Sequence, residues 1–195
     1  MLRPLLLFLA GLAAAQVAGW YGFPRALYTT QAQPFEYRHK THAEKSGSTE
    51  CDGCHTLRPD GVFAGLPNTA ESCGSCHLEA QGTTKAEATL VKDFVTPEKE
   101  VPWLVRARQP ANVRFSHAIH TKRAALKCAR CHGRDGETDT VRPYQQNRVS
   151  GYSRDIWGQS ISRLRRTADE GMKMDDCESC HKERGFETGC LGCHR

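Results

Sequence analysis

Residues 112–132 read NVRFSHAIHTKRAALKCARCH and hold the two patterns that decide this fold. The stretch ends in Cys128, Cys131 and His132, a C-x-x-C-H. The same spacing recurs at Cys51, Cys54 and His55, at Cys73, Cys76 and His77, at Cys177, Cys180 and His181, and at Cys190, Cys193 and His194. These five copies use all 10 cysteines of the 195-residue chain. C-x-x-C-H is the attachment signature of c-type haem. Two thiols bond to the two vinyl groups along one porphyrin edge, and the histidine that follows swings under the ring to ligate the iron. Paired C-x-x-C motifs also bind zinc, and a lone one serves as a thioredoxin-like redox pair, but neither chemistry needs a histidine after every second cysteine. With 9 histidines in 195 residues, five such placements have a chance of about two in ten million. A disulfide scaffold fails on the same count. The sequence therefore predicts five covalently attached haems, with the ten cysteines as attachment points and His55, His77, His132, His181 and His194 as proximal ligands.

Composition agrees. Only 38% of residues are hydrophobic, which is lean for an ordinary core at this length. Five flat apolar macrocycles would supply the missing interior, so the expected fold is mostly irregular with short α-helices at the motifs, long loops and almost no sheet. The polypeptide is expected to wrap a haem stack and to be largely unfolded without it. The formal charge of +5 is offset by two propionates on each haem, on the order of ten negative charges in all. The basic balance is therefore not read as a nucleic-acid or anionic-membrane role. The run SRLRR, with Arg163, Arg165 and Arg166, is either a solvated helix face or a propionate clamp or docking surface.

The N-terminus addresses the compartment. Arg3 precedes an apolar stretch from Leu5 to about Phe23 that only Gln16 interrupts, close to the roughly 20 residues that span a bilayer. Trp20, Tyr21 and Phe23, followed by Arg25, sit where an interfacial aromatic belt belongs. A cleaved signal peptide is the alternative, since residues 13–15 offer an A-x-A-like site. The expected organisation is a signal anchor over residues 1–24, inserted into lipid, and a haem domain over residues 25–195. With Arg3 inside, that domain lies on the periplasmic face of the cytoplasmic membrane, as a single-pass protein. Haem c is attached on the same side.

Motifs cluster unevenly along the rest. TLRPDGVFAGLPNTAES is a Gly/Pro-punctuated loop between the first two, and a longer insert over residues 78–127 carries Pro97, Pro102 and Pro110. A polar segment over residues 133–176 follows, in which DIWGQSISRLRR is the best helix candidate. Two His-x-x-His elements, His39 and His42 and then His117 and His120, each precede a group of motifs, which reads as a loose duplication. These four are the histidines the cysteines do not explain. A low-spin haem iron takes a sixth ligand, most often imidazole. Residues three apart on a helical turn share a face, with Cβ atoms about 5–6 Å apart. Each pair is therefore expected to serve two neighbouring irons. One iron is left over, and Met172 and Met174, just ahead of the fourth motif, are candidate thioether ligands, against an open or amine-ligated iron.

The phenylalanine-flanked FSHAIH followed by CARCH resembles the small multihaem cytochromes of the c3/c7 type. That resemblance implies that the first histidine of a pair serves the next motif's haem, His39 with Cys51/Cys54 and His117 with Cys128/Cys131, and the second serves another. Over nearly the whole chain the closer likeness is to the membrane-anchored multihaem subunits of two quinone-reactive complexes, the menaquinone reductase of sulfate reducers and alternative complex III. The anchor, QPFEYRHKTH, ARQPANVRFSHAIH, the five motifs and GMKMDDCESCH carry it. RQPANVRFSH and GYSRDIWG look more like the menaquinone reductase branch. Some members are described with an additional haem; here it would have to be noncovalent, since every cysteine is used.

The function this resemblance implies is electron transfer, with no substrate chemistry of its own. Electrons would pass from a soluble periplasmic cytochrome c3 through haem c toward menaquinone reduction in partner subunits. Those partners would be membrane and iron–sulfur or molybdopterin-like proteins, with no nucleic acid. The alternatives are a quinol-oxidising alternative complex III subunit feeding a high-potential acceptor and a multihaem oxyanion reductase. The last would need a five-coordinate iron in a cationic pocket, and four irons already have candidate partners.

Overall fold

A computed structural model describes residues 2–46, 51–56, 58, 65–156, 171–186 and 189–194. The chain enters through helix α1 (Leu2–Val17), which runs on through a π turn (Ala18–Gly22) into α2 (Phe23–Ala26). The 20 residues Arg3–Gly22 are apolar, with none of their surface buried against the protein. At about 1.5 Å rise per residue they reach about 30 Å, the thickness of a bilayer's hydrocarbon core. Inside this stretch Trp20 Nε1 donates to Gln16 Oε1 at 2.8 Å, one turn back. Arg25 lies over the Tyr21 ring, 5.7 Å from its centre, a pairing suited to the headgroup level.

Two short strands follow from how the entry segment is held. β1 (Tyr28–Gln31) pairs antiparallel with β2 (Tyr144–Asn147), Tyr28 opposite Asn147 and Gln31 opposite Tyr144. The Asn147 side chain accepts from the N–H groups of Val149 and Ser150 and turns the chain back, the local hydrogen bonding that makes asparagine a turn residue. This ribbon ties the foot of the apolar helix to chain that follows the third motif.

α3 (His39–Ser46) is a short polar helix that could not stand alone. Its exposed N–H groups are capped from a distance: Thr41 N and Oγ1 both donate to Asp139 Oδ1 (3.1 and 2.8 Å), and Lys40 N donates to Thr138 O at 3.2 Å. α4 (Lys85–Leu90) is capped by Thr84, whose side chain accepts from Glu87 N, and continues into a π turn at Val91–Val95. This helix lies in the proline-bearing insert over residues 78–127. The prolines all fall beyond it, at Pro97, Pro102 and Pro110, and so leave it intact.

The described apolar core is small. Leu90, Val95 and Val101 are its buried members, with Phe35, Cys73, Phe94 and Trp103 packed against them. Thr69 is 1% exposed and locks the second motif to this core: its Oγ1 donates to Glu100 Oε2 and accepts from Val101 N. A mostly irregular chain with helices and one small sheet is thus what forms. The helix candidate DIWGQSISRLRR falls, apart from Asp155 and Ile156, outside the described residues, as do Arg163, Arg165 and Arg166.

Candidate functional site

Each motif makes a tight helical turn. His55, His77, His132 and His194 donate their backbone N–H to the carbonyl of the first cysteine in their own motif, at 2.8, 2.9, 3.0 and 2.9 Å. The fourth motif lies inside α6 (Met174–Glu183), and the fifth builds α7 (Gly189–Cys193). α5 (Ala129–His132) carries the third. All ten cysteines are free thiols. Gly74, between the second motif's cysteines, is required by space: a Cβ there would meet Ala70 O at 2.2 Å.

The two His-x-x-His elements form matching units. In the first, Tyr37 stands edge-on to His39 (centres 4.7 Å apart, 80°) and stacks on His42 (4.4 Å, 18°). In the second, Phe115 stands edge-on to His117 (4.7 Å, 88°) and stacks on His120 (4.7 Å, 22°). His42 Nδ1 is 2.7 Å from Arg38 O and His120 Nδ1 is 2.8 Å from Ser116 O, in both cases the carbonyl four residues back. A carbonyl can only accept, so Nδ1 carries the proton and Nε2 keeps a lone pair to bind metal. The duplication read loosely from motif order is therefore concrete at these two elements. The aromatic two residues before each pair was the signal for it, and it emerges only when the two stretches are laid over one another.

The pairs are brought to the motifs. His42 faces His77 with ring centres 6.1 Å apart, His117 faces His132 at 6.3 Å and 7° between planes, and His120 faces His181 at 6.0 Å and 18°. An imidazole nitrogen lies about 1.1 Å from its ring centre and a first-row metal binds it at about 2.0–2.1 Å. Two imidazoles on opposite sides of one metal therefore have centres about 6.2–6.4 Å apart. The three separations lie within about 0.2 Å of that span, with the first pair tilted by 53°, and so suit one iron between each pair. His39 lies within the field of His55, and its pKa is lowered first by burial and then by that neighbouring imidazole, with Asp135 opposing. The paired imidazoles and the free thiols thus suit haem c.

Other protons on the motif histidines are also placed. His55 Nδ1 donates to Gly65 O at 2.8 Å. His77 Nδ1 meets Glu87 Oε1 at 3.0 Å, and the same oxygen accepts from Gln81 N at 2.6 Å. Burial acts to raise the Glu87 carboxyl, and the Gln81 bond and His77 overcome it and hold it below its usual range. Glu87 carries no sequence signal, because nothing in KAEATL separates a ligand-orienting carboxylate from a solvated helix face.

The residues matched by a family model bear on the same motifs. Residues 94–195 match the model of the class III cytochrome c family. The chain belongs to that family. This class III cytochrome is also similar over nearly its whole length to the menaquinone reductase multiheme cytochrome c subunit of Nitratidesulfovibrio vulgaris (strain Hildenborough), 36% identical over 203 aligned positions that cover 96% of this chain and 89% of that protein. The family implies covalent c-type haem.

Around the fifth motif the cytochrome is held by backbone. Val113 and His194 form an antiparallel bridge, and Arg114 N donates to Cys193 O at 2.7 Å. Met172 N donates instead to Cys131 O at 2.7 Å, beside the third motif, and Met174 is 64% exposed on the first turn of α6.

Proposed function

We propose that this chain is the electron-transfer subunit of a membrane quinone-reactive complex, holding five c-type haems and relaying electrons toward menaquinone reduction in partner subunits. The observation that carries the reading is the set of three imidazole pairs at 6.0–6.3 Å, each joining a motif histidine to a His-x-x-His histidine. Haem c, bound through Cys51/Cys54, Cys73/Cys76, Cys128/Cys131, Cys177/Cys180 and Cys190/Cys193, supplies a reversible one-electron iron couple. The proximal ligands are His55, His77, His132, His181 and His194. The distal ligands are His39 for the first site, His42 for the second, His117 for the third and His120 for the fourth.

This assignment makes the spatial order of sites differ from the sequence order. α3 links the second site to the first, and the turn that carries Phe115 to His120 links the third to the fourth. The Thr138 and Asp139 caps on α3 join the first half to the third motif, and Val113 and Arg114 bring in the fifth. The row is thus second, first, third, fourth, with the fifth at the far half. The chain's own contribution is to orient imidazoles, set their charge environment and close the sixth position at the first four sites. Residues 1–24 anchor it as a single pass with residues 25–195 on the periplasmic side, where a soluble cytochrome c3 delivers electrons. The electron path continues in membrane and iron–sulfur subunits.

The test uses the complex gently extracted from native membranes. Reduced cytochrome c3 should drive reduction of a menaquinone analogue through it. If a quinol reduces these haems instead and only a high-potential cytochrome drains them, the reading as a quinone-reducing subunit is wrong.

A further inference from the structure

Four charged side chains from separate stretches of chain meet beside the first and third motifs. Arg106 comes from the insert ahead of the second histidine pair, Asp135 from the turn after the third motif, Arg142 from the approach to β2, and Asp155 from beyond the hairpin. Arg106 Nη2 donates to Asp135 Oδ2 at 2.5 Å and Arg142 Nη2 to Asp135 Oδ1 at 3.2 Å. Asp155 closes the ring with looser ion pairs, 3.8 Å to Arg106 and 3.6 Å to Arg142. Lys173, 7% exposed, adds a third cation whose Nζ donates to the carbonyls of Arg154 and Asp155. Lys173 brings its own carboxylate neighbour, Asp176, whose Oδ2 accepts from Lys173 N at 2.9 Å, so the two guanidinium groups stand against Asp135 and Asp155.

Two donor atoms in this group have no acceptor among the described residues: Arg106 Nη1 and Arg142 Nε, both buried. An unpaired buried donor costs about 1–3 kcal/mol, and more when charged. Native structures rarely leave two in one cluster, and a guanidinium donor is met most strongly by an anionic oxygen. Its position narrows the choice. Asp135 follows His132 by three residues, and Thr138 and Asp139, just beyond it, cap α3 immediately after His39.

We propose that Arg106 and Arg142 grip a haem propionate carboxylate where the first and third haem sites meet, with Asp135 and Asp155 fixing the two guanidinium planes. The inference rests on the haem-site reading above. A guanidinium presents donors in a rigid fork matched to a carboxylate. Asp135 takes Nη2 of each arginine and Asp155 approaches the two Nη1 atoms only to 3.8 and 3.6 Å, so Arg106 Nη1 and Arg142 Nε remain without a hydrogen-bond acceptor and are available to the ligand. The clamp also sets the charge felt by an iron at the junction of the two halves of the row.

The experiment uses the holoprotein in its complex, with the haem propionate carboxyls labelled biosynthetically with carbon-13. Alkaline pyridine absorbance first counts haem in the wild type; fewer than five per chain overturns the haem-site reading and not the clamp alone. In Arg106→Gln and Arg142→Gln, the label-sensitive carboxylate bands of the reduced-minus-oxidised infrared spectrum should change. One component of the redox titration should move to lower potential by at least tenfold in its oxidised-to-reduced ratio, about 59 mV for one electron. Asp155→Asn should move the same component upward, a sign reversal that loosened packing does not produce. Full haem content with unmoved bands and components in both arginine variants would mean that the cluster is an ion-pair lattice and nothing more. Should Arg106→Gln mature with fewer haems, Arg106→Lys decides: it keeps the charge and loses the fork, so changed propionate bands support the clamp and unchanged bands overturn it.

Discussion

Replacing Glu87 with glutamine removes one negative charge from behind His77 and leaves the local geometry in place. The amide oxygen still accepts from His77 Nδ1 and from Gln81 N, and Thr84 still caps α4. Glu87 Oε1 is 3.0 Å from Nδ1. Adding the width of the imidazole ring and a metal–nitrogen bond of about 2.0 Å puts the carboxylate about 7 Å from an iron on Nε2. A unit charge at that distance is worth about 2.4 kcal/mol at an effective dielectric of ~20 and about 0.6 kcal/mol in water. Immediate neighbours cover Glu87, leaving 12% of its side chain accessible, while the wider shell around it is thin. The effect therefore lies between these limits. Oxidised iron carries one more positive charge than reduced iron, so the carboxylate favours the oxidised state. Its removal raises the potential of the second site by about 25–100 mV, at 59 mV per tenfold for one electron. A hydrogen-bonded carboxylate also makes the imidazole more basic, which acts in the same direction. The assay is a spectroelectrochemical titration of holoprotein with five haems: one component should shift upward and four should stay. If all five components coincide with wild type, the Glu87–His77 contact does not govern that iron.

Other outcomes follow from the same geometry. His42→Ala, His117→Ala and His120→Ala should each turn one low-spin haem high-spin at nearly unchanged covalent haem content; fully low-spin electron paramagnetic resonance spectra in all three would refute the distal assignment. Gly74→Ala should disrupt the second motif, because its Cβ would meet Ala70 O at 2.2 Å, and mass spectrometry should show one haem fewer on the chain. Met174→Leu should leave the redox titration unchanged, given its exposed place on α6; loss of a high-potential component would restore methionine as a ligand. Burial acts to raise the Asp135 carboxyl, but bonds and charges from Arg106 and Arg142 outweigh it and hold the carboxyl below its usual range. Its stabilisation is therefore present above about pH 4 and is lost as pH falls through the lowered value. Asp135→Asn should flatten the acid limb of a stability-against-pH curve and lower the plateau at neutral pH.

The covalent chemistry was legible without a structure. Cysteine and histidine spacing inside a five-residue motif is a local constraint, because two thioether bonds and one axial ligand on the same macrocycle need neighbours along the chain. The same holds for the apolar N-terminal stretch, whose length alone matches a bilayer, and for the expectation of little regular structure, since a chain this polar closes only a three-residue buried core among the described residues. The four non-motif histidines were also recognisable as a class, because they come in pairs on helical turns. Partner choice for the second histidine of each pair was not. His42 lies 35 positions from His77 and His120 lies 61 from His181, and no spacing rule links residues so far apart. Packing of Phe35, just ahead of α3, on the core that also holds Cys73 brings the first pair to the second motif. Charge environment is tertiary for the same reason: Glu87 meets His77 by the fold of one helix onto one turn, and Arg106, Asp135, Arg142 and Asp155 meet only when three loops converge. Composition and spacing thus point to covalent c-type haem and mark five motifs for its attachment, whereas the order of the sites and the field at each depend on contacts between distant segments.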